Sequence, residues 1–395
     1  MFASLILTVT ATTSTSSVHS SAEISSAGNE TFAYVVGARP NYVKMASVIA
    51  AMRERAPGAR HLLINTGQHY DPVLSTLFLE VLGMQSPDYE LEVGSASHAV
   101  QTARVMERIE PILVDEKVDV VIVPGDVNST LAAALVASKL GISIVHLEAG
   151  LRSGDRTMPE ELNRILVDQL SDLLLTHSPE AQSNLEAEGI NPDKVRMVGN
   201  TMIDALVAVR DRFDGLDPAA EFGLSSGEYL LVTLHRPALV DGPLLLDAMA
   251  ALAEVSESIP VLFPVHPRTR SRLNDYVPPA ALHLCEPLGY LDFLAAQSKA
   301  RAVLTDSGGV QEETTFLGVP CFTLRDNTER PVTVDQGSNA LLGLDTEAIR
   351  TIPARLEAET SEVGVPDLWD GESADRVVDA LIEAGLVKSL VQSIA

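Results

Sequence analysis

Short apolar runs alternate with glycine-containing turns and helical patterns along most of the chain. Residues 32–36 form the first run, which ends in the turn 37–41, and a helix is predicted over residues 42–52. Residues 118–123 and 142–147 are nearly continuous apolar runs, which are typical of strands buried inside a parallel sheet. Because strands and helices alternate, the pattern predicts parallel strands joined by crossover helices.

The same pattern restarts after a polar, glycine-containing stretch at residues 210–227. We therefore predict an α/β protein with two doubly wound Rossmann-like domains that face a central cleft. The predicted divisions are a mobile N-terminal tail at 1–30, a first domain at 31–209, a linker at 210–227, a second domain at 228–372, and a C-terminal helix and tail at 373–395.

Residues 305–313 (Thr-Asp-Ser-Gly-Gly-Val-Gln-Glu-Glu) lie between a predicted strand and a predicted helix. Free backbone N–H groups at a helix start bind anions, and two glycines let a ligand approach closely, so a diphosphate is a natural ligand here. Glu313 is placed to bind two neighbouring ribose hydroxyls. The alternative interpretation is a plain strand-to-helix turn with a helix-favouring glutamate pair.

The turn at residues 37–41 is a second strand-to-helix turn, and it brings two cations together. Arg39 lies in the turn and Lys44 lies one helical turn later. A phosphate site at the carboxyl end of a parallel strand has this arrangement. Ordinary surface charge is the alternative.

Four carboxylates follow predicted strands or begin predicted helices. Asp126 follows the run 118–123, where position alone favours a helix cap. Glu148 follows the buried run 142–147 directly, where an unpaired carboxylate is costly, so a specific role is favoured. Glu160 and Glu161 come after Pro159, which is also the ordinary composition of a helix start.

Composition narrows the classes of partner. The 395 residues suffice for two domains. The 28 Lys and Arg against 54 Asp and Glu give a net charge of −26, which excludes nucleic acid and anionic membrane as general partners.

Cys285 and Cys321 are expected to be reduced core residues without metal-ligand spacing. No apolar run reaches transmembrane length and no signal peptide is expected, so we predict a cytoplasmic protein without membrane insertion.

Ten motifs in order resemble one known family, the non-hydrolysing UDP-N-acetylglucosamine 2-epimerases, which have the two-domain GT-B fold. The resemblance covers roughly residues 32–385. Its motifs are Gly-Ala-Arg-Pro-Asn at 37–41, Gly-Gln-His at 67–69, Gly-Asp at 125–126, Glu-Ala-Gly-Leu-Arg at 148–152, Pro-Glu-Glu-Leu-Asn-Arg at 159–164, Val-Gly-Asn at 198–200, His-Arg at 235–236, Pro-Val-His-Pro at 264–267, Asp-Ser-Gly-Gly-Val-Gln-Glu-Glu at 306–313 and Thr-Glu-Arg-Pro at 328–331.

The resemblance implies roles for residues at these motifs. The catalytic set is Asp126, Glu148, Glu160 and His235. Together with the cations of the first turn, the substrate-binding set is Arg39, Lys44, His266, Ser307, Gly308, Gly309, Glu313 and Arg330, within a second domain that binds UDP. Gln68 and Arg104 match part of an allosteric substrate site of bacterial members.

The implied reaction inverts C-2 of UDP-N-acetylglucosamine to give UDP-N-acetylmannosamine, for cell-envelope or other surface polysaccharides. UDP leaves C-1 as the C-2 proton departs, and both return to a bound glycal. A UDP-sugar is thus the expected partner, a homodimer the expected assembly, and no cofactor or metal ion is expected. Which carboxylate is acid and which is base stays open, with Asp126 and Glu148 favoured.

Four other interpretations of the function remain. They are the same chemistry on a modified sugar such as a diacetamido uronic acid, a hydrolysing epimerase that releases UDP, a GT-B glycosyltransferase, and a non-catalytic nucleotide-sugar sensor. One departure supports the sensor: after His235 and Arg236 the family has a polar pair ending in Asn, where this chain has Ala238 and Leu239 behind Pro237. The hold of this loop on its ligand is therefore in question.

Overall fold

The structure is a computed structural model, and it describes residues 30–67, 78–273, 275–358 and 364–387. The expected N-terminal tail lies outside these residues, apart from Glu30. Gln68 also lies outside them.

Two parallel sheets organise the described part of the chain. The first has seven strands, which are β1 (Thr31–Val36), β2 (Arg60–Asn65), β3 (Tyr89–Glu90), β4 (Val120–Pro124), β5 (Ser143–Leu147), β6 (Leu173–Thr176) and β7 (Val195–Met197). The second has six strands, which are β8 (Leu230–Thr233), β9 (Val261–Pro264), β10 (Leu282–Cys285), β11 (Ala302–Thr305), β12 (Cys321–Thr323) and β13 (Asn339–Leu341).

Helices connect these strands. Those of the first half are α1 (Arg39–Arg55), α2 (His98–Asp115), α3 (Asn128–Leu140), α4 (Pro159–Leu170), α5 (Pro179–Ala187), α6 (Thr201–Ala208) and α7 (Arg210–Phe213). Those that follow are α8 (Pro237–Val240), α9 (Leu244–Val255), α10 (Pro267–Arg270), α11 (Tyr290–Ser298), α12 (Gly308–Leu317), α13 (Val332–Asp335), α14 (Ile352–Ala358) and α15 (Ser373–Glu383). Short 3-10 helices span Pro192–Lys194, Pro218–Phe222 and Thr346–Thr351.

The strand order is the doubly wound one in both sheets. It runs β3-β2-β1-β4-β5-β6-β7 in the first sheet and β10-β9-β8-β11-β12-β13 in the second, with parallel pairing throughout. The order reverses between β1 and β4, and again between β8 and β11. Ligands of such sheets bind beyond the carboxyl ends of the strands at these reversal points. The predicted architecture of two doubly wound α/β sheets is confirmed.

Alternating side chains of each strand enter two apolar layers. In β1, Phe32, Tyr34 and Val36 pack beneath α1, whereas Ala33 and Val35 pack beneath α2 and α3 on the opposite face. A strand covered on both faces has to be apolar at every position, which explains the continuous apolar runs in the sequence. Within the described residues, no helix is both long and apolar enough to span a membrane.

The C-terminal segment returns to the first sheet. Helix α15 packs against α1, and its Val377 and Leu381 lie in the same apolar layer as β1. Asp204 of α6 accepts hydrogen bonds from the backbone N–H groups of Ser373 and Ala374, at 3.1 and 2.6 Å, and so caps α15. The end of the chain therefore packs against the first half.

The sequence pattern did not predict the shortest strands. Strands β3 and β13 have two and three residues, which is too few for a recognisable period. The stretch predicted as a linker contains α7 and the 3-10 helix Pro218–Phe222, and Phe213 is fully buried.

Candidate functional site

The predicted site residues lie at the two reversal points of the strand order. Arg39 and Lys44 follow β1, and Asp126 follows β4. His235 follows β8, and the glycines at 308 and 309 follow β11. Contacts between the halves, described below, bring these strand ends together.

In the first glycine turn, a side chain of the turn itself accepts hydrogen bonds from the backbone N–H groups. Asn41 accepts hydrogen bonds through Oδ1 from the N–H groups of Gly37 and Ala38, at 3.1 and 3.0 Å. Asn41 is buried, and its Nδ2 donates to the carbonyl of Pro124 at 3.3 Å. Arg39 is exposed at the start of α1. The turn therefore presents a cationic side chain and few free amides.

The second glycine turn leaves the start of its helix open. The side chain of Ser307 does not cap α12, and the first N–H groups of a helix have no acceptor within it. A Cβ at Gly308 would lie 2.5 Å from Nη1 of Arg330, so only glycine fits beneath this guanidinium. These features suit an anion at the start of α12.

Glu148 lies where the two halves meet. It is buried directly after β5 and holds a left-handed backbone conformation, with φ of 70°, which costs free energy for any residue with a Cβ. Its carboxylate pairs with Lys44 of α1, and its Oε1 lies 3.1 Å from Nη2 of Arg330 in the second half. Burial raises the pKa of Glu148, but Lys44 and Arg330 outweigh it and the pKa is lowered.

Arg330 joins three carboxylates. Besides Glu148, its Nε lies 2.9 Å from Oε1 of Glu312, and its Nη1 donates to Oε1 of Glu329 at 2.6 Å. All four side chains are buried. These carboxylates together outweigh the burial of Arg330 and raise its pKa above its ordinary value. Sequence reasoning placed Arg330 at the site but assigned no role to Glu312 or Glu329.

Asp126 is held by a second arginine. Nε and Nη2 of Arg164 both lie 3.1 Å from Oδ2 of Asp126, and Nη1 of Arg164 donates to Glu161 at 2.6 Å. Glu161 also accepts from the backbone N–H groups of Ser153 and Gly154. Glu161 thus organises the loop before α4, whereas the half-buried Glu160 forms no hydrogen bond or ion pair with the described residues.

His235 is oriented by a buried carboxylate. Its Nδ1 lies 2.9 Å from Oδ1 of Asp306, although the two groups are not aligned as a hydrogen bond. Oδ2 of Asp306 accepts the backbone N–H groups of His235 and Arg236, both at 2.7 Å. The His266 ring lies 5.9 Å from that of His235, and burial and the nearby His235 and Arg39 lower the pKa of His266. Asp306 was part of a sequence motif but was not predicted as a site residue.

Glu313 lies one residue beyond Glu312 on α12 and faces another environment. Nε2 of Gln297 donates to its Oε2 at 2.7 Å, and both side chains are buried. Burial raises the pKa of Glu313 to about 7, the Gln297 hydrogen bond opposes this, and the nearby Glu312 adds to it. A buried carboxylate with little ionic compensation suits hydroxyl donors from a ligand.

Ligand atoms of Glu148, His177 and Glu312 lie within 4.8 Å of one another, which is close enough for one metal ion. Lys44 and Arg330 already neutralise the two carboxylates. A metal cation there would meet two positive side chains at close range, so the charge pattern favours an ion-pair network instead.

The remaining predicted positions lie apart from this network. Arg104 is exposed on α2 and donates to the carbonyl of Val93 at 3.3 Å. Leu239 is 1% exposed within the core of the second half, and Ala238 is exposed. The apolar replacement at 239 therefore faces the core, which shows that this part of the loop is fixed by packing.

His177 and Glu312 were missed, although the sequence held a usable signal for each. His177 follows the apolar strand β6 directly, as Glu148 follows β5. Glu312 precedes Glu313 in an apolar helix, and adjacent helical residues face different surroundings. Asp168 and His146 carried no such signal, because their pairing at 2.6 Å joins α4 to β5.

Comparisons with known proteins agree on one family. The family model for UDP-N-acetylglucosamine 2-epimerase matches residues 51–382. A UDP-N-acetylglucosamine 2-epimerase of Methanococcus maripaludis is 42% identical over 357 residues, which are 87% of this chain and 96% of that protein. A UDP-2,3-diacetamido-2,3-dideoxy-D-glucuronate 2-epimerase of Pseudomonas aeruginosa is 40% identical over 320 residues, which are 80% of this chain and 89% of that protein.

A solved structure gives the same result. The crystal structure of Methanocaldococcus jannaschii UDP-GlcNAc 2-epimerase in complex with UDP-GlcNAc and UDP has a TM-score of 0.81 at 38% identity. The match covers 89% of this chain and 99% of that chain. As the sequence motifs predict, this chain belongs to the UDP-N-acetylglucosamine 2-epimerase family.

Proposed function

We propose that this protein epimerises C-2 of UDP-N-acetylglucosamine to give UDP-N-acetylmannosamine, without hydrolysis, by elimination and re-addition of UDP. The observation that carries the proposal is the buried pair of Glu148 and Arg330, which joins the two halves beside the open start of α12. The family relatives of the same name and the UDP-GlcNAc complex support the choice of substrate.

The chemistry explains why cations and carboxylates meet in one cleft. The C-2 proton of the ring sugar is not next to a carbonyl, so direct removal is very slow. Departure of UDP from C-1 makes its removal feasible, and negative charge then grows on the diphosphate. Arg39, His235, Arg330 and the first N–H groups of α12 stabilise that charge, which is the kind of preorganised interaction that supplies the largest part of many rate accelerations.

Inversion at C-2 needs a proton acceptor on one face and a donor on the other. Glu148 is the group we assign as acceptor, because Lys44 and Arg330 lower its pKa and keep it ionised. Asp126, held by Arg164 behind the cleft, is the assigned partner on the other face. Glu160 has no hydrogen bond or ion pair with the part of the chain that the structure describes, and it is assigned to orient the sugar hydroxyls or acetamide.

Different residues are assigned to different parts of the nucleotide. Glu313 accepts hydrogen bonds from the two ribose hydroxyls, Ser307, Gly308 and Gly309 surround the diphosphate, and His266 lies near His235 and Arg39. Lys44 acts mainly through Glu148. Gln68 and Arg104 stay candidates for an allosteric substrate site.

The test is proton NMR of the purified protein with UDP-N-acetylglucosamine in deuterated buffer. The proposal predicts the manno epimer with deuterium at C-2 and UDP still attached. Replacement Glu148→Gln is expected to lower the rate by about 10²- to 10⁴-fold, the usual contribution of an acid–base group. Glu254→Gln, on the exposed surface, is the matched control. Free UDP with N-acetylmannosamine would instead establish a hydrolysing enzyme.

The same chemistry on a diacetamido uronic acid nucleotide is a second candidate. The 40% identical Pseudomonas aeruginosa relative, named for that substrate, favours it. Running the NMR experiment with both nucleotides in competition ranks them by their rates of deuterium uptake.

We also infer a homodimer. Leu162 and Leu166 lie one turn apart on α4 and are 39% and 49% exposed, and Val100 on α2 is 44% exposed. Helices α2 and α4 both pack against α3. Exposed apolar side chains on two such helices suit a self-complementary contact, and light scattering of the purified chain measures its mass. The cytoplasm stays the predicted compartment, since Cys285 and Cys321 are free thiols.

A further inference from the structure

His177 is a buried imidazole that the proposed reaction does not use. It follows β6 and is 2% exposed, and its Nε2 lies 3.2 Å from Oε1 of Glu312 on α12 in the other half. The indole N–H of Trp369 donates to the His177 carbonyl at 3.0 Å, and the two rings meet edge to face with centroids 5.8 Å apart. His177 therefore touches both halves and the returning C-terminal segment.

The charges around His177 alternate in sign. Lys44 pairs with Glu148, Glu148 with Arg330, and Arg330 with Glu312, and His177 closes the series. The titratable groups that face His177 are Glu312 and Glu148, with the two cations behind them. Arg330 is shared with other carboxylates, and the imidazole of His177 is the further polar group beside Glu312.

The contact between His177 and Glu312 is close but not aligned. Neither ring nitrogen and neither carboxylate oxygen has an aligned hydrogen-bond partner among the described residues. Buried polar groups are almost always hydrogen bonded, so this pair calls for an explanation. A positioning contact explains it, because His177 and Arg330 both approach Oε1 of Glu312, so that the imidazole and the guanidinium together fix the position of this oxygen.

We propose that His177 is a positioning residue whose ring holds Glu312 against Nε of Arg330, and thereby aims the remaining nitrogens of Arg330 at Glu148 and at the diphosphate. The assignment rests on the proposed function, in which Arg330 faces the substrate. An apolar side chain at 177 leaves Glu312 without this contact. Arg330 then turns further towards Glu312 and away from the cleft.

The experiment compares His177→Leu and His177→Gln with the control His283→Leu. His283 also packs against an aromatic ring, that of Phe222 at 5.8 Å, but it lies on β10. We expect kcat to fall about tenfold to a hundredfold in His177→Leu, the range for losing an interaction with a charged group, while KM changes little. Gln keeps an N–H donor for Glu312 and is expected to recover part of the loss.

Trp369, the single tryptophan of the chain, supplies a second readout. Its indole meets the imidazole of His177 edge to face, so its emission reports on this contact. We expect the emission of Trp369 to change in His177→Leu and in His177→Gln, and to stay at the wild-type value in His283→Leu.

Equal losses of kcat in the Leu and Gln variants would show a purely structural role and overturn the inference. Unchanged kcat in both variants would overturn it as well. A wild-type protein without epimerase activity contradicts the proposed function instead. In that case the emission of Trp369, compared with and without UDP in the wild type and in His177→Leu, still shows whether His177 is coupled to the nucleotide site.

Discussion

The two glycine turns of this protein have the same local sequence pattern and different structures. Each follows the first or fourth strand of a doubly wound sheet, and each begins a helix with an acidic or cationic residue nearby. In the first turn, Asn41 already occupies the N–H groups of Gly37 and Ala38. In the second, Ser307 leaves the start of α12 uncapped, and Arg330 lies over Gly308.

This difference indicates that the two turns have different roles. The first turn is fixed by its own hydrogen bonds, and Lys44 behind it pairs with Glu148. The second has free amides, a guanidinium above them and Glu313 one turn later. We infer that the first turn fixes the position of a carboxylate, and that the second receives the nucleotide.

The largest effect is expected at Gly308. In Gly308→Ala, the new Cβ would lie 2.5 Å from Nη1 of Arg330, so the guanidinium has to move out of the diphosphate site. We expect UDP affinity to fall by about a hundredfold, the upper range for overpacking. Isothermal titration calorimetry with UDP measures it.

Gly309→Ala provides a graded comparison. Its Cβ would meet only the flexible end of Met202, at 2.9 Å from Cε, so the loss of affinity is expected to be smaller. Equal losses in both variants would mean that the position of Arg330 is not what matters at this turn.

A smaller effect, with a clear pH dependence, is expected at Glu313. Burial raises the pKa of Glu313 in the folded protein to about 7, above that of the unfolded chain. Its contribution to stability is therefore full below the unfolded pKa and is lost as the pH rises through about 7. In Glu313→Gln this loss disappears, so the melting temperature is expected to fall less between about pH 5 and about pH 8.

The same variant is expected to bind UDP about tenfold more weakly, because an amide replaces a carboxylate as acceptor for the ribose hydroxyls. Thermal denaturation at the two pH values and calorimetry at the higher one measure both effects. If Glu313→Gln is no more stable than the wild type at the higher pH, then ionised Glu313 does not destabilise the free protein. Unchanged affinity would remove it from the ribose site.

The sequence predicted the elements at both turns but could not separate them. Apolar runs and glycines locate β1 and β11, because burial and backbone freedom depend on local residue types. Whether a turn has free amides depends on a single side chain such as Asn41, whose conformation is fixed by its hydrogen bond to the carbonyl of Pro124. In the same way, the resemblance identified Glu148 and Arg330, whereas the contact of His177 with Glu312 joins residues 135 positions apart and required the folded chain.

The smallest effect is expected at Asn41, which belongs to the first glycine turn, whereas the variants above change the second. Asn41→Ala removes the acceptor for the N–H groups of Gly37 and Ala38, so the free energy of unfolding is expected to fall by about 1 to 2 kcal/mol, as for loss of a helix cap. Asn41→Asp keeps an acceptor oxygen at the same position and is the matched control. Urea denaturation measures the stability of both variants.

The informative quantity is their affinity for UDP. If the first turn only holds Lys44 and Glu148 in place, the affinity of Asn41→Ala stays within about threefold of the wild type, whereas kcat falls because Glu148 is less well fixed. If the first turn binds phosphate through its amides, the two freed N–H groups change the affinity as strongly as Gly308→Ala does. The second result would make the two turns equivalent, and Asn41 would then be a cap that the substrate displaces.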